Sequence, residues 1–173
     1  DAEKDMIFHS ENGVIGYGIL AAEGEEDIHL VNAGGQHVTL QQGAAIIHHA
    51  DSFSLIRAGY VDVTVMGAYE VAENGDFANW KTLGRKGGGI GGAMDLAVGA
   101  KRVFLALEHT TREGSPRLLK RCTLPVTAVG VRSRSVSSLV FGTTFTQSLD
   151  LAMMSFTSSM GTSRLSFTVN AWA

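Results

Sequence analysis

The sequence predicts an α/β fold with a mixed, mostly parallel sheet. Val61-Asp62-Val63-Thr64-Val65-Met66 is a β-branched, alternating run ended by Gly67, and Val103-Phe104-Leu105-Ala106-Leu107 is an apolar run of strand length. Each follows a short stretch of helical character, at 51–59 and at 94–100. Strands alternating with helices at this spacing build βαβ units, whose crossovers leave neighbouring strands parallel. The 173 residues, 45% hydrophobic and 18% charged, are enough for one domain with a sizeable core, and extended disorder is not expected.

Taken in order, residues 6–8 are a short apolar run that ends a strand. Ser10-Glu11-Asn12-Gly13 then forms a tight turn, because Asn and Gly accept positive φ at low cost. A carboxylate is thereby held on a sharp bend, among small neighbours that let a substrate approach. Residues 14–20 alternate loosely with glycine, and 21–27 form an acidic loop. Val31-Asn32-Ala33-Gly34-Gly35 leads to a short apolar run, and Gln41-Gln42-Gly43 reads as a further turn. Asp51 is the expected N-cap of a helix carrying Phe53, Leu55 and Ile56, with Gly59 in the C′ position.

Glu73-Asn74-Gly75-Asp76 is a turn, followed by Phe77-Ala78-Asn79-Trp80. Residues 84–92 are glycine-rich, with Arg85 and Lys86, before the helix at 94–100. The buried strand at 103–107 closes on Glu108-His109, and 112–116 is a polar turn. Residues 118–126 are amphipathic, with Cys122 read as a buried thiol among Leu119, Leu124 and Val126.

Composition excludes several functions. The net charge of −3 comes without a basic tract or aromatics interleaved with Arg and Lys, so nucleic acid is a poor partner. A single cysteine rules out an internal disulfide framework and fits a reducing compartment, the cytoplasm. No apolar run approaches the ~20 residues of a membrane span. Near Val131 the character changes. All six His, all five Lys and all acids but Asp150 precede that point, whereas 132–173 holds ten Ser and six Thr. The expected division is therefore 1–131 as the domain and 132–173 as an atypical Ser/Thr-rich tail, frameshifted or disordered.

Phe8-His9-Ser10-Glu11-Asn12-Gly13-Val14-Ile15-Gly16 resembles the active-site signature of the family I coenzyme A transferases. Further stretches are similar to the β subunit of the 3-oxoacid group of that family. They are Val31-Asn32-Ala33-Gly34-Gly35, Asp51-Ser52-Phe53-Ser54-Leu55-Ile56-Arg57 and Asn74-Gly75-Asp76-Phe77-Ala78-Asn79-Trp80. Ile90-Gly91-Gly92-Ala93-Met94-Asp95-Leu96, Glu108-His109-Thr110 and Lys120-Arg121-Cys122-Thr123-Leu124-Pro125 complete the set.

The resemblance implies a three-layer α/β/α domain, truncated at its N-terminus, with Glu11 as a nucleophile that becomes a glutamyl-CoA thioester. It also implies an α subunit as partner, in a hetero-oligomer that shares the active site. The substrates would be an acyl-CoA (succinyl-CoA or acetyl-CoA) and a 3-oxoacid or short carboxylic acid. Coenzyme A is then a carried substrate, and neither a metal nor a redox cofactor is implied. The compartment would be the cytoplasm, or the mitochondrial matrix in a eukaryote.

The chemistry suits these residues. A carboxylate is ionised at neutral pH and attacks a thioester carbonyl without a separate base. Each addition passes through an oxyanion, so backbone N–H donors are needed beside Glu11. Gly91-Gly92-Ala93 is the candidate, because small residues permit close approach and a helix N-terminus favours negative charge. Asn12, Asn32, Asn79 and His109 are candidates for facing the substrate or supporting the site; turn formation is the competing role for Asn32 and Asn79, and a structural role for His109.

Other readings are weaker. Gly87-x-Gly89-x-x-Gly92 satisfies the dinucleotide fingerprint, but residues 80–86 do not read as the strand that must precede it. His37, His48 and His49 lack a Cys or carboxylate at ligand spacing. Two alternatives to the transferase keep the same motif: an acyl-CoA hydrolase, and an inactive pseudo-subunit or remnant.

Overall fold

The computed structural model describes residues 5–84, 89–131, 137–140 and 164–170, of which residue 5 and the last two segments are described by their backbone alone. Its principal sheet runs in the order β3-β2-β1-β10-β4-β7-β9. The strands are β1 (Asp5–Ser10), β2 (Val14–Leu20), β3 (Val38–Ile46), β4 (Val63–Gly67), β7 (Arg102–Leu107), β9 (Ser137–Val140) and β10 (Arg164–Asn170). Five of them, β1, β10, β4, β7 and β9, are mutually parallel, and β2 and β3 form an antiparallel edge. The sheet is mixed and mostly parallel, as expected. Strands β9 and β10 come from the Ser/Thr-rich stretch after Val131; the rest of that stretch lies outside the described residues.

The helices α1 (His49–Arg57) and α2 (Ala93–Gly99) lie together on one face of this sheet. Phe53, Ile56, Leu96 and Ala97 pack there on Met66, Val103, Leu105 and Leu107. The helices approach closely because Gly99 has no Cβ; an added one would collide with the carbonyl of Ile56. On the other face Val63, Val65, Phe104 and Ala106 form a second cluster with Met6 and Phe8. The alternation in β4 and β7 thus feeds two cores, as in central strands covered on both sides. Among the described residues, no helix lies on that second face.

Local signals explain most boundaries. The end of α1 is a Schellman motif: Gly59, at φ 81°, donates to the carbonyl of Ile56, and Tyr60 to that of Leu55. Its start corrects the sequence reading. The N-cap is His48, whose Nδ1 accepts from the N–H of Ala50 at 3.2 Å, and Asp51 sits inside the first turn. A second correction concerns Gln41-Gln42-Gly43, which lies within β3 instead of turning the chain. The pairing register of β2 with β3 shifts there, and Gly43, at φ 86°, absorbs the irregularity without ending the strand.

A small sheet of order β6-β5-β8 joins β5 (Glu70–Ala72), β6 (Phe77–Ala78) and β8 (Leu118–Leu119). Its Glu70 carboxylate accepts from the N–H and hydroxyl of Thr123, both at 2.6 Å, and from the N–H of Leu124 at 2.9 Å. Burial pushes this carboxyl up, but those hydrogen bonds outweigh it and hold it below its usual range. The amphipathic stretch at 118–126 is therefore β8 and a pinned loop. Half-buried Cys122 lies 3.7 Å from the carbonyl oxygen of Asp76, and burial pushes its thiol up to about 11. Among the described residues, no helix is long and apolar enough to cross a membrane.

Candidate active site

Parallel sheets gather ligand sites at the carboxyl ends of their strands. β1 ends at Ser10, and Glu11 is the next residue. The chain reverses through a turn in which the N–H of Gly13 donates to the carbonyl of Ser10 at 2.9 Å. Gly13 has φ 118°, and a Cβ there would fall on the carbonyl oxygen of Ile47. The carbonyl of Gly13 also accepts from the N–H of Ile47 at 2.9 Å, so the turn is pressed flat against the chain leaving β3. Asn12 secures it on another side, its Nδ2 donating to the carbonyl of Val31 at 2.8 Å.

This anchored turn delivers the Glu11 carboxylate to the first residue of the α2 segment. A Cβ built on Gly92 would overlap Oε2 of Glu11 and lie 2.9 Å from its Cδ and 2.7 Å from Cζ of Phe53. Gly92 is the N-cap of α2, with no side chain to cap it, and its carbonyl accepts from the N–H of Leu96 at 3.0 Å. Gly91 is exposed, at φ 54°, and Ala93 packs on the main core. Glu11, Gly92 and Phe53 therefore meet where β1, α1 and α2 converge. Beneath them, buried His9 and Ser52 of α1 stand 2.8 Å apart, Nε2 to Oγ, one donating to the other according to the imidazole tautomer. Burial pushes His9 below the ordinary histidine value.

The structure assigns the other candidates different work. Asn32 closes its own turn: Oδ1 accepts from the N–H groups of Gly34 and Gln36 at 2.9 and 3.0 Å. Asn79 is buried, its Nδ2 donating to the carbonyl of Gly67 at 3.1 Å and its Oδ1 accepting from the Thr127 hydroxyl at 2.7 Å. Both asparagines hold backbone in place. His109 is exposed just past the carboxyl end of β7, and its carbonyl accepts from the N–H of Arg117 at 2.8 Å.

The histidines considered for a metal serve separately. His48 caps α1, His49 stacks on Phe53 with ring centroids 4.8 Å apart, and Nδ1 of His37 lies 3.0 Å from the carbonyl oxygen of Asp27. No group of three or more His, Cys, Asp or Glu among the described residues could hold a metal ion. In the dinucleotide fingerprint, Gly87 lies outside the described residues. Gly92 faces a carboxylate, which would repel a pyrophosphate placed there.

Sequence reasoning missed Phe53 and the His9–Ser52 pair as parts of the site. Two signals were available: His9 precedes Glu11 by two residues, and a small polar residue stands beside the apolar face of α1.

Comparison with known proteins agrees with this geometry. The profile of a family described as Coenzyme A transferase matches residues 1–157. The chain is 49% identical over 139 residues to the B subunit of the 3-oxoadipate CoA-transferase of Pseudomonas putida, covering 79% of this chain and 65% of that one. It is 42% identical over 135 residues to the B subunit of the succinyl-CoA:3-ketoacid coenzyme A transferase of Helicobacter pylori, covering 78% and 65% respectively. The chain thus spans about two-thirds of the length of these relatives. Among solved structures, an acyl-CoA transferase apoenzyme from Escherichia coli O157:H7 shares the fold, with a TM-score of 0.57 at 20% identity over 78% of this chain and 26% of that one.

Proposed function

Because the chain belongs to the coenzyme A transferase family, we propose that it serves as the β-type subunit of a 3-oxoacid CoA-transferase, with Glu11 as covalent nucleophile. The observation that carries this reading is the seat of the Glu11 carboxylate in space left by the missing side chain of Gly92. Half-buried Glu11 thus holds its carboxylate against a glycine at the carboxyl edge of a parallel sheet, the edge where such sheets gather ligands.

The reaction follows in balanced steps. A Glu11 oxygen adds to the acyl-CoA carbonyl, and the tetrahedral oxyanion collapses by expelling CoA thiolate, leaving an acyl-glutamyl anhydride. The thiolate then adds to the glutamyl carbonyl and expels the first acid as its carboxylate, leaving the glutamyl-CoA thioester. An acceptor carboxylate attacks that thioester, and the two steps run in reverse to release a new acyl-CoA. This is ping-pong chemistry. Backbone N–H groups of Gly91, Gly92 and Ala93 are the donors this reading assigns to the oxyanions, and one such donor is typically worth about 10²–10³ in rate.

An anhydride hydrolyses readily, so water must be kept out, and an α subunit closing over half-buried Glu11 would do this. The donor class is succinyl-CoA or acetyl-CoA, and the acceptor a 3-oxoacid or short carboxylic acid. The compartment is the cytoplasm, or the mitochondrial matrix in a eukaryote.

The test is trapping. The chain, alone and with an α-type partner, is incubated with acyl-CoA and treated with borohydride, and the mass change is mapped by peptide. The expected result is a change on Glu11 that needs acyl-CoA and is absent from Glu11→Gln. Release of free thiol without an acceptor acid would instead indicate hydrolysis. No adduct under either condition, from a chain that melts cooperatively, would leave an inactive remnant as the better account.

A further inference from the structure

We infer that the buried His9–Ser52 pair is a positioning device for Glu11, fixing α1 to β1 so that Phe53, Gly92 and the carboxylate keep their mutual placement. The inference rests on the nucleophile reading of Glu11. It deepens that reading by naming residues that act through the carboxylate without touching substrate.

The connectivity supports it. His9 and Glu11 stand two residues apart, and both meet the helical layer: His9 touches Ser52 on α1, and Glu11 lies against Gly92 at the start of α2. Ser52 is followed directly by Phe53, whose ring closes on the same Gly92. A displacement of α1 along β1 would therefore carry Phe53 toward or away from the carboxylate. Apolar packing alone resists such a slide poorly, because hydrophobic contact has no direction. A hydrogen bond between two side chains exposed by only 4% and 0% does have direction, and low local dielectric strengthens it. Placement is where rate is won or lost, since an error of about 1 Å can cost on the order of 10²-fold.

The test uses the chain with its α-type partner and reads single-turnover formation of the Glu11 adduct, steady-state kcat and KM, and thermal melting. Ser52→Ala and His9→Phe are expected to slow adduct formation and kcat by about tenfold or more, with KM for acyl-CoA within about twofold, because the lost interaction orients the nucleophile without binding substrate. The double variant is expected to be no slower than either single one, since each already breaks the same link. His9→Gln, whose carboxamide can still reach Ser52, is expected to recover most of the rate.

All rates are taken at a temperature where the melts show each variant folded. Should Ser52→Ala fail to fold, His9→Asn, polar but too short to reach Ser52, carries the same expectation. Unchanged kcat in the pair variants, beside a wild-type adduct that Glu11→Gln lacks, would overturn the positioning role alone. A loss of rate that follows only the unfolded fraction, or that His9→Gln does not reverse, would overturn it as well. A wild-type protein without a Glu11 adduct would overturn the nucleophile reading and this inference with it.

Discussion

The carboxylate of Glu11 occupies the space into which a side chain on Gly92 would project. This relationship joins two residues far apart in sequence, one on a turn after β1 and one at the start of α2, and it assigns the glycine a steric role. Gly92 has φ −92° and ψ 2°, a conformation open to any L-residue, so backbone freedom is not what calls for glycine there. Space for the carboxylate is.

Gly92→Ala is accordingly expected to cost function more than stability. Its methyl group must displace either the Glu11 carboxylate or the Phe53 ring. The carboxylate, at the end of a flexible side chain, is the cheaper one to move. We expect adduct formation on Glu11 to fall by about 10² or more, while overpacking lowers stability by only about 1–3 kcal/mol. Single-turnover trapping beside a denaturant melt separates the two. A variant that traps at the wild-type rate would show that the carboxylate works from another position.

Gly13→Ala is expected to do the reverse, striking the fold first. Gly13 combines φ 118° with a Cβ position that falls on the carbonyl oxygen of Ile47, a backbone atom that cannot rotate away. Strain of this kind costs about 1–3 kcal/mol before the collision is counted. Gly24 is the natural comparison: its φ is 85°, but nothing lies within 4 Å of an added Cβ. In urea, the Gly13→Ala midpoint should fall well below that of Gly24→Ala, with the slope of each transition unchanged. Equal midpoints would mean that the turn is not pressed against Ile47.

The contrast between these glycines indicates what the sequence disclosed. The turn at Glu11, the Gly59 terminus of α1, the helix at 94–100 and the central strands were legible, because each depends on a local signal: an Asn-Gly pair, a left-handed C′ glycine, a β-branched run. The Gly92 loop was expected beside Glu11 on chemical grounds, as small residues opening a helix. That Phe53 shares the contact, and that His9 meets Ser52, depend on how α1 lies across β1; the sequence shows a polar residue in each segment, but neither specifies its partner. The path of β3 through Gln41-Gln42-Gly43 was misread for a related reason: partner β2 sets the bulge, and local composition favours a turn. His48 as N-cap escaped notice because Asp51 is the commoner capping residue. Asn32 and Asn79 were ambiguous in sequence, since an amide that holds backbone and one that faces a substrate have the same composition around them.

His9 gives the fold a pH dependence of its own. Burial pushes its imidazole below the ordinary value of about 6.5, so the folded chain keeps it neutral where the unfolded chain begins to take up a proton. Between those two values the unfolded state binds more protons, so stability rises with pH and falls on acidification below about 6.5. Glu70 acts in a lower window. Its carboxyl is held below the usual range, so its contribution is present above about 4.3 and is lost as pH falls from there through the folded value. The urea midpoint should therefore decline from pH 7.5 to pH 5.5, and His9→Gln, which cannot titrate, should flatten that decline while leaving the steeper loss below pH 4.5 in place. An unchanged slope in His9→Gln would show that the burial of His9 does not set the protonation of the fold, and that another group takes up the proton in this range.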